Sequence, residues 1–210
     1  TSLQPAAIVG GTFGAINAAN LTNLNATALT SGTVPDARFP ATLPAVSGAN
    51  LTNLPASGIT EADMYRLTTS HTGDSDITSN LERVDNASFS KIGTGVSVSS
   101  GIFSFPSTGI YQILVQANIA FNNQADNGAV VGTLVTTNNS SYSTAAQAFY
   151  GNGNQSGATS VTSYSQYFFN VTNISNCKVK FATSSFQGSL EGSTDANRTA
   201  FSFIRLGDST

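Results

Sequence analysis

At 210 residues the chain has room for one ordinary domain and an appendage, and only 9% of it is charged, against roughly 25% in typical soluble domains. A hydrophobic content of 40%, with 13 Phe and 6 Tyr, excludes a chain too polar to build a core. A net charge of −3, three scattered lysines (Lys91, Lys178, Lys180) and the lack of any apolar run of about 18 residues exclude a general nucleic-acid binder and a membrane-inserted helix.

The chain opens at Thr1, and residues 1–12 have no basic stretch of the kind that begins a signal peptide, which points to processing or to an excerpt of a longer product. Residues 1–18 are rich in Gly and Ala. From Leu21 to Ile59 the apolar positions, among them Leu21, Leu24, Phe39, Leu51 and Leu54, keep neither the helical nor the strand period for long. Pro35, Pro40, Pro44 and Pro55 rule out a continuous helix. Within this tract Ala19-Asn20-Leu21-Thr22-Asn23-Leu24 returns verbatim as Ala49-Asn50-Leu51-Thr52-Asn53-Leu54. One chain of this pattern leaves its Leu and Phe in water, whereas three wound about a common axis bury them. Residues 1–62 therefore read as an extended repeat shaft that trimerises. A flexible linker is the alternative, and linkers rarely repeat a hexapeptide.

Glu61-Ala62-Asp63 marks the exit from the shaft, and beyond it the grammar is that of strands. Tyr65–Thr69 is a first strand, with a turn at 73–76, and 81–84 and 92–98 are short candidates. Residues 101–106 alternate and stop at Pro106, as a strand end does. The best strand, Ile110–Phe121, puts Tyr111, Ile113, Val115, Ala117, Ile119 and Phe121 on one face and Gln112, Leu114, Gln116 and Asn118 on the other. Strands at 129–137 and 144–150 follow, between Asn/Gly-rich turns.

The strand at 163–171 is apolar on both faces, Tyr164 and Phe168 against Tyr167, Phe169 and Val171. The strand at 201–206 likewise sets Phe201 and Phe203 against Ile204 and Leu206, and Val179, Phe181 and Thr183 alternate between the two. In a sandwich a second apolar face needs a second partner, most economically another subunit. Short strands separated by turns read as an all-β sandwich or jelly roll.

Two stretches carry a resemblance. Gly101-x-Phe103-x-Phe105-Pro106-x-x-Gly109-x-Tyr111-x-Ile113 and the closing Phe201-Ser202-Phe203-Ile204-Arg205-Leu206 make residues 64–210 similar to the jelly-roll superfamily of complement C1q and tumour necrosis factor. The resemblance implies a homotrimeric head, with Tyr111 in the core beneath Gly109 and a threefold axis lined by aromatic and aliphatic side chains. Tyr164, Tyr167, Phe168, Phe169, Phe201 and Phe203 are the axis candidates in the head. The two hexapeptides and Leu29-Thr30-Ser31-Gly32-Thr33-Val34-Pro35-Asp36-Ala37-Arg38 resemble the shafts of bacteriophage fibres, especially those of phages of marine bacteria. The collagen-like Gly-X-Y stalk of animal C1q relatives is missing, which argues against a role in complement-like immunity.

Catalysis requires titratable groups placed together, and few exist here. His71 is the sole histidine, in a Ser/Thr/Gly setting that reads as a surface turn, and no Gly-x-Ser-x-Gly elbow is present. Asp74 with Asp76, and Glu191 with Asp195, are the nearest carboxylate couples for glycan hydrolysis, but turns favour Asp for backbone reasons. Asp126, Glu191 and Asp195 could offer oxygen ligands to Ca²⁺, as some C1q relatives do, although no EF-hand spacing supports it. Cys177, alone, reads as a small half-buried residue and gives no disulfide framework. The Asn-x-Ser/Thr triplets follow from composition, and Gly151-Asn152-Gly153-Asn154 lacks the Lys-Ser/Thr ending of a phosphate loop.

Binding specificity on a rigid β scaffold sits in its loops. The candidates are Asn122, Asn123, Asp126, Asn138, Tyr142, Asn152, Asn154, Gln187, Glu191 and Asp195. The expectation is a non-enzymatic homotrimeric virion fibre on the particle surface, assembled in the host cytoplasm, without metal or cofactor. Its N-terminal region contacts other virion proteins, and its head binds a host-surface glycan or protein. A structural decoration fibre, in which the head is a trimerisation and assembly cap, is the alternative.

Overall fold

Period-two alternation gives each strand one face to bury, and the longest alternating stretch in the sequence becomes a central strand. The computed structural model describes residues 58–84, 90–122, 127–152 and 157–210. The expected shaft lies outside them up to residue 57, and with it Leu21, Leu24, Phe39, Leu51 and Leu54. Among the described residues there are twelve strands: β1 (Ala62–Leu67), β2 (His71–Thr72), β3 (Leu81–Arg83), β4 (Ser97–Ser99), β5 (Ile102–Ser104), β6 (Gly109–Asn122), β7 (Asn127–Thr136), β8 (Ser143–Asn152), β9 (Ala158–Val171), β10 (Lys178–Ser184), β11 (Ser189–Leu190) and β12 (Ala200–Gly207).

They form two antiparallel sheets. The first runs β9-β6-β12-β1-β3, with β11 and β2 prolonging β12 and β1 at one end. The second runs β4-β5-β10-β7-β8. From β5 onward the chain crosses between sheets at β5/β6, β6/β7, β8/β9, β9/β10 and β10/β11, so the architecture is a jelly-roll sandwich. Residue 62 and the end of β12 lie at one pole, here the base; the end of β6, the start of β7 and the start of β9 lie at the other, the apex.

The expected strand at 92–98 formed only at its two ends. Ile92 makes an isolated bridge to Ala62, and Ser97 and Val98 open β4 opposite Ser104 and Phe103. Gly93 and Gly95 adopt positive φ (72° and 76°), which turns the backbone away from a ladder.

The core lies between the sheets and is aromatic at its centre. Phe103, fully buried, contacts Tyr65, Phe181 and Phe203 with ring centroids 5.2, 5.5 and 5.0 Å apart, and Phe181 stacks on Phe201 at 4.1 Å. Rings from β1, β5, β10 and β12 thus meet at one point. Tyr111 is buried as expected, its hydroxyl donating to the Ser107 carbonyl at 3.1 Å. The two glycines of the motif have steric reasons. Gly101 holds φ +78° where a Cβ would collide with the Ile77 carbonyl, and a Cβ on Gly109 would sit 2.5 Å from Arg205 Nε.

Three axis candidates belong to this core instead of an outward surface: Phe169, Phe201 and Phe203 are 3%, 0% and 1% exposed. Tyr167 also faces inward and packs against it, half-buried. The reason is register, since Phe169 pairs with Tyr111, and Phe201 and Phe203 pair with Val115 and Ile113, all on the buried face of β6. Cys177 is fully buried, not half-buried.

Truncating Phe103 removes the ring that four strands share. Phe103→Ala is expected to cost about 3–5 kcal/mol in urea unfolding at fixed protein concentration, far more than Ile102→Ala on the outward face of the same strand.

Candidate functional site

The outward side of the first sheet carries the surface least suited to water. Residues directly opposite in an antiparallel ladder share a face. Gln112 therefore lies beside Phe168 and Ile204, Leu114 beside Gln166 and Ser202, and Gln116 beside Tyr164. Tyr164 and Phe168, the two remaining axis candidates, are 59% and 56% exposed. Next to them Ala62, Asp63, Met64, Gln112, Leu114, Ser202 and Ile204 line a cavity of about 260 Å³.

Toward the apex the same face turns polar. Asn118 Nδ2 donates to Thr162 Oγ1 at 3.0 Å, and Ser160 donates to Asn118 Oδ1 at 3.3 Å. Gln116 Nε2 holds the Asn197 and Arg198 carbonyls at 2.7 and 3.1 Å, tying the 191–199 connection down onto the sheet.

The terminal strands of both sheets, β8 and β9, lie at the same side of the sandwich, where Ser163 Oγ donates to the Phe149 carbonyl at 3.0 Å. Neither strand contains a charged residue or a proline. Phe149, on β8, is 67% exposed. Sheet edges are normally protected by charge, proline, a bulge or a covering element; neither strand has charge or proline, and β8 carries one register shift, between Ala146 and Thr144.

The loop candidates do not form one group. Asn122, Asn152 and Gln187 sit at the apex, where Gln187 Oε1 accepts from the Gly128 amide at 3.2 Å. Asn123, Asp126 and Asn154 lie outside the described residues. Asn138 and Tyr142 sit at the base, the opposite pole. Asn138 Oδ1 accepts from the amides of Ser140 and Ser141 and the hydroxyl of Thr136, so it closes its own turn. The Tyr142 ring lies under Lys180 Nζ at 4.7 Å, and Lys180 pairs with Asp76 at 2.7 Å; burial raises the Tyr142 hydroxyl above its ordinary value.

Three of the four carboxylates in the candidate couples are engaged in structure, Asp76 by Lys180. Asp74 caps the Ser185 and Phe186 amides at 3.0 and 2.7 Å. Glu191 holds Arg198 at 3.1 Å, while Asp195 is exposed. Among the described residues no three His, Cys, Asp or Glu side chains gather as metal ligands.

Two arrangements escaped the sequence reading. His71 is not in a surface turn: in β2, half-buried, its Nε2 lies 3.0 Å from Thr183 Oγ1, which itself donates to the Gly73 carbonyl at 2.6 Å. The link ties the first sheet to the second. The other is an ion pair with a buried carboxylate and a partly exposed guanidinium. Asp63 is 3% exposed and accepts from Arg83 Nε at 3.1 Å through both oxygens, while Arg83 Nη2 donates to the Val96 carbonyl at 2.6 Å. The density of charge at 61–63 was its only trace in the sequence.

No family model matches this chain, and no curated protein matches it. Among solved structures, the crystal structure of murine APRIL at pH 5.0 is similar with a TM-score of 0.47 and 14% identity, over 70% of this chain and 98% of that one. The structure of murine APRIL at pH 8.0 gives 0.47 and 15% over the same shares. The jelly-roll assignment rests on this chain's own strand order and register.

Burial lowers the pKa of His71 below its ordinary value. The native state then resists protonation that the unfolded chain accepts, so this contribution is complete above the ordinary histidine range and is lost as pH falls through it. His71→Gln should flatten that part of the melting-temperature profile between about pH 7 and 5; an unchanged profile would place the pH dependence elsewhere.

Proposed function

We propose that this chain is a non-catalytic, homotrimeric attachment protein of a virion, displayed on the particle surface. In this reading the apex of the jelly roll meets a host-surface glycan or protein, and the N-terminal region joins other virion proteins. The observation that carries it is the uncharged β8–β9 edge with exposed Phe149, Tyr164 and Phe168, beside the apolar cavity at Leu114, Met64 and Ile204. A free monomer would leave all of this in water, while a trimer closed around that face covers it. The leucine-bearing hexapeptide, repeated verbatim, supports the same stoichiometry from the other half of the chain. Asn122, Asn152 and Gln187 at the apex are then the attachment residues.

The non-catalytic part of this reading is supported by Asp74, Asp76 and Glu191, each held by an amide or a cation.

Light scattering should give a mass near three times 21.6 kDa, and Phe168→Lys should shift it toward one chain. A stable monomer in the unmodified protein would overturn the trimer. Soluble protein should compete with particles for host cells. Binding by trimer that fails to compete would favour the decoration cap instead, and sugar release from host polysaccharide would favour an enzyme.

A further inference from the structure

We propose that β1 is the tension-bearing strand of the sandwich, arranged so that a pull between base and apex loads its contacts in shear, whereas a pull between the two chain ends peels it. The inference concerns the sandwich itself and holds whatever the apex attaches to.

The polarity of the strands sets the geometry. β1 starts at the base with Ala62 and runs toward the apex. β12 lies antiparallel beside it and ends at the base with Gly207, and β6, on the far side of β12, ends at the apex with Asn122. Ladder hydrogen bonds in antiparallel sheets are perpendicular to the strands. Pulling β1 toward the base and β6 toward the apex therefore strains the rungs of β1–β12 and β12–β6 together. Pulling the adjacent base ends of β1 and β12 apart opens the rungs one after another, beginning at Ala62–Ile204.

The side chains at the start of β1 add to the resistance along its length. Ala62 exchanges both backbone bonds with Ile92, at 3.1 and 2.8 Å. The Glu61 carboxylate accepts from the Thr94 and Gly95 amides at 3.2 and 2.8 Å. Asp63 pairs with Arg83, and Arg66 with Glu82 at 3.0 Å, both across to β3. Beyond them Tyr65 and Leu67 are buried in the core, so sliding β1 toward the base drags two charged and two large apolar groups out of their sites at once. Gly93 and Gly95 let loop 91–96 come this close, since a Cβ on Gly95 would stand 2.5 Å from Asp63 Oδ2.

Single-molecule force measurement on the full chain tests this, with both handles in the same protomer. One tether uses Ile59→Cys with Asn122→Cys, base to apex; the other uses Ile59→Cys with Ser209→Cys, base to base. Cys177, fully buried, is left in place. A severalfold higher rupture force along the base-to-apex axis is expected, and equal or lower force along that axis would overturn the proposal. This comparison needs no change in the clamp itself. In the base-to-apex tether Asp63→Asn should lower the force; an unchanged force would remove the charged pair from the load path and overturn its part in the proposal.

Discussion

The contact on which the rest depends is the meeting of rings around Phe103. Two sheets cohere only where their inward faces interlock, and here one side chain from β5 reaches rings on β1, β10 and β12 simultaneously. Close packing makes such a point intolerant of substitution. It also fixes register, because a shift of one residue along β12 would turn Phe201 and Phe203 outward and bring Ser202 and Ile204 in. The outward surfaces are therefore consequences of the inward ones: with Phe169 committed to the core, Phe168 has no choice but the outside.

Charge is scarce and unevenly placed. Of the ion pairs among the described residues, Asp63–Arg83 and Arg66–Glu82 both bind β1 to β3 near the point where the chain enters the sandwich. With one partner of each pair buried, desolvation offsets much of the attraction, while removing the partly exposed partner strands the buried charge. Their value is positional: they fix the first strand against its neighbours. The opposite economy rules β8 and β9, where charge is withheld from both edges. The sandwich thus clamps its entrance with charge and leaves the β8–β9 flank uncharged.

Much of the fold was legible in the sequence because strand periodicity is a local property. Ile110–Phe121 announced β6 within a residue at each end, and the motif glycines Gly101 and Gly109 already implied backbone positions that a Cβ cannot share. The failures are equally physical. Apolar residues on both faces of 163–171 and 201–206 could not be sorted inward or outward, because only pairing with β6 decides which parity faces the core. Asn138 and Tyr142 were grouped with Asn122 and Gln187 as loop residues, yet loop character says nothing about which pole a loop occupies.

By itself, then, the sequence determined the elements: an all-β region after residue 60, its principal strands, its steric glycines, and a repeated tract rich in leucine and proline ahead of it. These follow from side-chain period, φ restriction and composition, which act over a few neighbouring residues. The tertiary structure alone decided what the elements do to one another. It placed His71 against Thr183 from the opposite sheet, buried Asp63 against Arg83, turned Phe169, Phe201 and Phe203 into core, and left Tyr164, Phe168 and Phe149 outside. Those outcomes depend on contacts between residues far apart in the chain, and no local pattern encodes them.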